Sequence, residues 1–145
     1  MKDEPTRRQN LNRRYMKLEV WQLGVDLFEL VFKETRGVAD FKLRSQITDA
    51  AQSVSANIAE GYGRRTLPEY LQFLYTAKGS LGECLTRTVG LRRVDLLTAG
   101  QLEAIDVLHY EVENKLLALI RSLEAKRADD SWDATLPPAH HPPSS

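Results

Sequence analysis

The sequence has a single cysteine, Cys84, in 145 residues. One thiol can form no internal disulfide and supplies no cysteine-based zinc cluster. No apolar run approaches the roughly 20 residues that span a bilayer. The opening stretch Met1-Lys2-Asp3-Glu4-Pro5 has no apolar segment behind its charges, so no secretory signal is read there and the cytoplasm is the expected compartment. Charge of one sign is also missing. Twenty Lys and Arg balance twenty Asp and Glu for a formal net charge of +0, which removes the strongly basic nucleic-acid binder as a starting assumption. What remains is a chain that is 42% hydrophobic and 28% charged, of a length that fits one domain with a real core.

The charge is unevenly spread. Residues 1–17 carry Lys2, Arg7, Arg8, Arg13, Arg14 and Lys17 against Asp3 and Glu4 and read as a basic, flexible arm. Residues 128–145 read as a disordered, proline-rich tail holding His140-His141, since neither end offers enough apolar surface to offset ordering. Between them, residues 18–127 show helical periodicity and no competing strand-like alternation. Expected helices cover about Leu18–Thr35, then, after a break at Gly37 and Asp40, a second to about Gly61, then Thr66–Val94 and Thr98–Lys126. Thr66 with Glu69, and Thr98 with Gln101, have the spacing of capping boxes, and Gly61-Tyr62-Gly63 reads as a left-handed helix stop. Linkers of three to six residues favour antiparallel neighbours. The expected fold is all-α, an up-down-up-down four-helix bundle.

The last three helices carry 4-3 apolar rows. These read Leu43, Ile47, Ala50, Val54, Asn57, Gly61; then Tyr70, Leu74, Ala77, Leu81, Cys84, Thr88, Leu91; then Leu102, Ile105, Leu108, Val112, Leu116, Leu119, Leu123. Small residues in the second helix, and Gly79 with Gly82 in the third, are expected to let helices approach closely. The first helix is different. Nine of the thirteen residues from Val20 to Phe32 are apolar, and its polar residues Gln22, Asp26, Glu29 and Lys33 form one narrow stripe. Such a helix asks to bury more circumference than a bundle supplies. Two solutions are open: a tail or a longer neighbour covers it, or a second subunit docks along Trp21, Val25, Phe28 and Phe32. The second makes the protein a homo-oligomer.

No catalytic constellation emerges. Asn57 lies on an apolar row, where a lone amide fixes register more often than it meets a ligand. Glu60 and Glu83 are followed three residues on by Gly63 and Thr86, so the Glu-x-x-His pairs of a di-metal bundle are missing. His109 has no nucleophile or second base beside it in sequence, Cys84 sits at a core position, and no glycine-rich phosphate loop occurs. No enzyme activity, metal or cofactor is therefore expected. One end of the expected bundle gathers Arg13, Arg14, Lys17, Arg64, Arg65, Lys126 and Arg127, diluted by Glu19, Glu60, Glu69 and Glu124. The opposite end gathers Arg36, Lys42, Arg44, Arg92 and Arg93. Either is a solvated mixed surface or a phosphate-attracting cluster.

Several blocks carry a resemblance: Leu18-Glu19-Val20-Trp21-Gln22, Ser45-Gln46, Ser53-Val54-Ser55-Ala56-Asn57-Ile58-Ala59-Glu60-Gly61-Tyr62-Gly63-Arg64, and Ala77-Lys78-Gly79-Ser80-Leu81-Gly82-Glu83. Together they resemble the bacterial four-helix-bundle family of intervening-sequence proteins of large-subunit ribosomal RNA genes, also labelled ribosomal-protein-like and related to accessory subunits of diversity-generating retroelements. The resemblance implies a cytosolic homopentamer, with RNA or a protein as partner and no enzymatic role. It marks Asn57, Glu60, Gly61, Gly63, Arg64, Gly79, Ser80 and Glu83 as signature positions for packing and interfaces. The neutral charge separates this chain from the strongly basic retroelement proteins. The function expected is that of a non-enzymatic oligomeric scaffold touching RNA through its basic ends; the alternative is a dedicated RNA-binding accessory protein.

Overall fold

The computed structural model describes residues 14–129. Residues 1–13, with Arg13 and most of the basic arm, and residues 130–145, with most of the proline-rich tail, lie outside them. Among the described residues there are four α-helices and no strand: α1 (Glu19–Glu34), α2 (Phe41–Tyr62), α3 (Leu67–Arg93) and α4 (Ala99–Asp129). A 3-10 turn, Arg14–Lys17, precedes α1 and packs on α1 and α2. The main contacts run α1 to α2, α2 to α3, α3 to α4 and α4 back to α1, so the helices close around one core.

The helix starts follow from local chemistry. The Asp40 carboxylate accepts from the Leu43 amide at 3.0 Å and starts α2. Thr66 does the same for the Glu69 amide at 3.3 Å, with Pro68 in the first turn of α3. Before α4 the capping box is complete: the Thr98 amide donates to the Gln101 side chain at 2.8 Å, and the Gln101 amide donates back to the Thr98 hydroxyl at 3.1 Å. The helix stops differ from expectation. Gly63 after α2 has φ −83°, so the left-handed stop expected there is not used. Among the described residues the one positive φ is at Asp95 (64°), beyond α3, where the Leu96 amide turns back to the Leu91 carbonyl at 2.8 Å.

Leu27 and Val31 of α1, Ile47, Val54 and Ile58 of α2, Leu74 and Leu81 of α3, and Ile105, Val112 and Leu116 of α4 are completely enclosed or nearly so. Each such side chain contributes about 1.5–3 kcal/mol relative to exposure. The row expected in α3 is buried along its whole length, from Tyr70 to Leu91. That of α4 is rotated slightly: His109 and Ile120 face the core, while Leu108 and Leu119 are half-buried on its flanks.

Glycine matters at two close approaches. A Cβ on Gly24 would stand 3.3 Å from the Ser55 Cβ, so α1 lies close on α2. A Cβ on Gly61 would stand 2.8 Å from the Phe73 Cβ, so the end of α2 rests directly on the start of α3. Gly79 and Gly82 do not serve the close packing expected of them. A Cβ at either meets nothing within 4 Å, because both lie on the outer face of α3.

Candidate functional site

The outer flank of α1 is the first candidate. Val20, Gly24, Leu27 and Val31 point inward and are buried. Trp21, Val25 and Phe28 follow at steps of four and three on an adjacent row and are half-buried, while Phe32 is 50% exposed. The core thus takes one row of α1 and leaves the next partly wet. The rings along it are already ordered: Phe28 and Phe32 lie 6.0 Å apart, and Trp21 meets Tyr15 of the 3-10 turn edge-on at 5.5 Å. Tyr15 is the part of the N-terminal segment that reaches this flank among the described residues.

The signature block divides into three arrangements on the α2–α3 side. Ser80 of α3 donates its hydroxyl to the Ser53 hydroxyl of α2 at 2.9 Å, and Asn57 donates its amide to both the Ser53 hydroxyl and the Ser53 carbonyl at 2.8 Å. Asn57 is therefore half-buried and held within its own helix. Glu60 pairs with Arg64 at 2.6 Å, and the Arg64 guanidinium lies 4.6 Å from the centre of the Phe73 ring, over the junction that Gly61 makes possible. Glu83 pairs with Arg87 at 2.9 Å, and Arg87 reaches across to the Gln46 side chain at 3.0 Å. These ion pairs are local, four residues apart, and largely exposed, so each is worth less than about 1 kcal/mol; what reaches between helices is Arg87 to Gln46 and Arg64 to Phe73. Gly63 and Gly79 are exposed and belong to none of the three.

The basic residues are placed less uniformly. Arg14, Lys17, Arg65, Lys126 and Arg127 are exposed, whereas Arg64 is engaged by Glu60 and Phe73. Tyr75 donates to Glu124 at 2.6 Å near the last turns of α4. At the other end, Arg44 donates to the Val38 carbonyl at 2.6 Å and holds its guanidinium 5.7 Å from the ring centre of Phe41, itself 71% exposed. That pairing was not singled out in the sequence, where Phe41 falls at a helix start and belongs to no apolar row.

The groups with chemical potential are spent on packing. Burial pushes the Cys84 thiol up to about 11, so it stays protonated at neutral pH. The buried His109 ring holds its Nε2 2.8 Å from the Leu81 carbonyl, pinning α4 to α3. Among the described residues no group of three or more His, Cys, Asp or Glu is arranged to hold a metal ion, and no helix is long and apolar enough to cross a membrane.

Comparison with known proteins places this arrangement. A solved structure of a protein of unknown function from the S23 ribosomal protein family of Bacteroides thetaiotaomicron superposes with a TM-score of 0.65 at 19% identity, covering 70% of this chain and 97% of that one. At that identity the likeness speaks for the fold. No curated protein matches the chain. The model of the 23S rRNA-intervening sequence protein family matches residues 16–118, which takes in α1, α2, α3 and most of α4 with all three signature arrangements. The chain belongs to the 23S rRNA-intervening sequence protein family.

Proposed function

We propose that this protein is a non-catalytic scaffold that works as a homo-oligomer, its subunits joined through the outer flank of α1. The observation that carries the reading is the row Trp21, Val25, Phe28 and Phe32, which the subunit's own core leaves half-covered to half-exposed. Hiding those three rings against a second copy recovers several kcal/mol per subunit at about 25 cal/mol per Å². An antiparallel bundle is the subunit this reading uses. Supporting it, Gln46, Ser53 and Gly61 of α2 meet Arg87, Ser80 and Tyr70 of α3 in reverse order. The start and end of α1 likewise meet α4 in reverse, through Glu19 with Lys115 and Glu34 with Gln101. A ring of five is the assembly that the family resemblance implies. A non-catalytic role accords with a core cysteine kept protonated and a histidine tied to a backbone carbonyl. The single buried thiol also suits a cytoplasmic setting. Size-exclusion chromatography with light scattering tests the reading: a mass several times 16.5 kDa supports it, and a mass of 16.5 kDa defeats it.

A second reading, RNA contact through the end bearing Arg14, Lys17, Arg65, Lys126 and Arg127, is favoured by the exposure of those side chains. Phosphate contacts release counterions, so such binding falls steeply as salt rises. Retention on heparin that is lost on replacing Arg65 and Arg127 by alanine supports it; full retention by that variant excludes it.

A further inference from the structure

We propose that the outer face of α4 around Val107 and Tyr110 is the docking surface of the subunit's own N-terminal arm, residues 1–13, whose arginines meet the carboxylates bordering those two side chains. The surface is separate from the self-association flank and uses none of Trp21, Val25, Phe28 or Phe32.

α4 turns Ile105, His109, Val112 and Leu116 to the core. Val107 stands two residues from both Ile105 and His109, so it points to the far side of the helix. It is 57% exposed, and Tyr110 on the next turn is 64% exposed. The subunit's own packing uses neither. Their border is uniformly acidic. From Ala99 to Asn114, α4 holds Glu103, Asp106, Glu111 and Glu113 and no lysine or arginine. Its histidine, His109, is buried against the Leu81 carbonyl. None of the four carboxylates has an ion pair among the described residues. The next base along the helix, Lys115, is taken by Glu19 at 3.0 Å. Glu103 and Asp106 stand three residues apart, where like charges repel, and a cationic occupant relieves that cost.

The same charge decides what can sit there. A second copy of this face would add four more carboxylates, and nucleic acid is repelled by all of them. The arm is the complement: it carries Lys2, Arg7, Arg8 and Arg13 with the apolar Leu11, and its acids, Asp3 and Glu4, lie towards the far end. Arginine suits both parts of the surface, since it pairs with carboxylates and lies flat on an aromatic ring. The reach is sufficient. Residues 1–13 join the described chain at Arg14, and the Glu19 contact sets the start of α1 beside Lys115 of α4. From there Tyr110 is about 8 Å and Glu103 about 18 Å along the helix axis. A segment of that length extends to about 43 Å, enough to pass around α1. Sequence order then brings Arg13 to Glu111 and Glu113, and Arg7 and Arg8 to Glu103 and Asp106. The tether holds the arm at a high local concentration, so individually weak exposed pairs suffice.

Photo-crosslinking of the full chain tests the proposal, with Tyr110 replaced by p-benzoylphenylalanine to keep a ring at that place. The expected product is a link to residues 1–13 within one chain, which keeps the 16.5 kDa mobility on a denaturing gel. Trypsin gives a second readout with Tyr110 intact. Cleavage after Arg7, Arg8 and Arg13 is expected to run about tenfold faster in the double variant Glu103→Lys, Glu111→Lys, and the difference to vanish at about 1 M salt. Both replaced residues are exposed, so the variant keeps the parent's helical spectrum, which circular dichroism checks. The proposal is overturned if no link forms or the link falls outside residues 1–13. It is equally overturned by a covalent dimer, which gives the face to a neighbouring subunit's arm, or by equal cleavage rates in parent and variant.

Discussion

The Ser80 hydroxyl of α3 donates to the Ser53 hydroxyl of α2 across 2.9 Å, and that same oxygen accepts from the Asn57 amide at 2.8 Å. One oxygen therefore ties two helices together and orients an amide of the signature block. Ser53→Ala removes an acceptor from both partners at once in a half-buried setting. The expected cost is about 1–2 kcal/mol, against about 0.5–1 kcal/mol for Ser80→Ala, because the latter strands fewer groups. Urea denaturation of both variants checks the order: a smaller loss at Ser53 than at Ser80 contradicts it.

Glycines in this chain should respond to alanine with opposite signs. At Gly61 the new Cβ would sit 2.8 Å from the Phe73 Cβ and 3.2 Å from the Tyr70 carbonyl, neither of which can swing away. Gly61→Ala is expected to destabilise by about 1–3 kcal/mol through overpacking. At Gly79 and Gly82 a Cβ meets nothing, so each alanine should stabilise by about 0.5–1 kcal/mol through helix propensity. Chemical unfolding of the three single variants decides it.

Stability should hold through neutral pH and fall in alkali. Burial pushes Cys84 up to about 11, and burial with Tyr62 nearby pushes Tyr70 up to about 12. Both acids ionise at lower pH in the unfolded chain than in the folded one, so raising the pH above about 9 drains protons from the unfolded state first. The stabilisation is whole below the unfolded values near 9 and 10 and is lost as pH climbs to about 11 and 12. For Cys84 the loss is on the order of 3 kcal/mol. Cys84→Ala should flatten the part of the decline between pH 9 and 11 that the thiol contributes. The same burial predicts slow alkylation of the native thiol and fast alkylation in denaturant.

Much of the fold was legible because its cues are local or periodic. Thr66 and Thr98 stand where caps are needed, Asp40 reads only as a break and in fact caps α2, and the α3 row from Tyr70 to Leu91 is inward without a break. The α1 flank was visible as an excess of apolar circumference, and the row at Trp21, Val25 and Phe28 is half-covered in the folded subunit. What escaped were features set by register and rotation between helices. Gly79 and Gly82 have no side chain to mark a face, so their composition suggested contact while their rotation on α3 points them outward. The Ser53–Ser80 bond and the Arg87–Gln46 reach depend on how far α2 slides along α3, which no single-helix pattern records. Phe41 escaped because an isolated aromatic at a helix start joins no repeat.

Self-association through α1 is tested most directly by sedimentation equilibrium of the parent protein beside Phe28→Glu. The charge is placed on the half-buried outer row and not among the enclosed residues, so the subunit should keep its helical spectrum. The account predicts a parent mass that is a multiple of 16.5 kDa, near five subunits, and a variant that sediments as one. A parent that sediments at 16.5 kDa, or a variant whose multiple is unchanged, contradicts it.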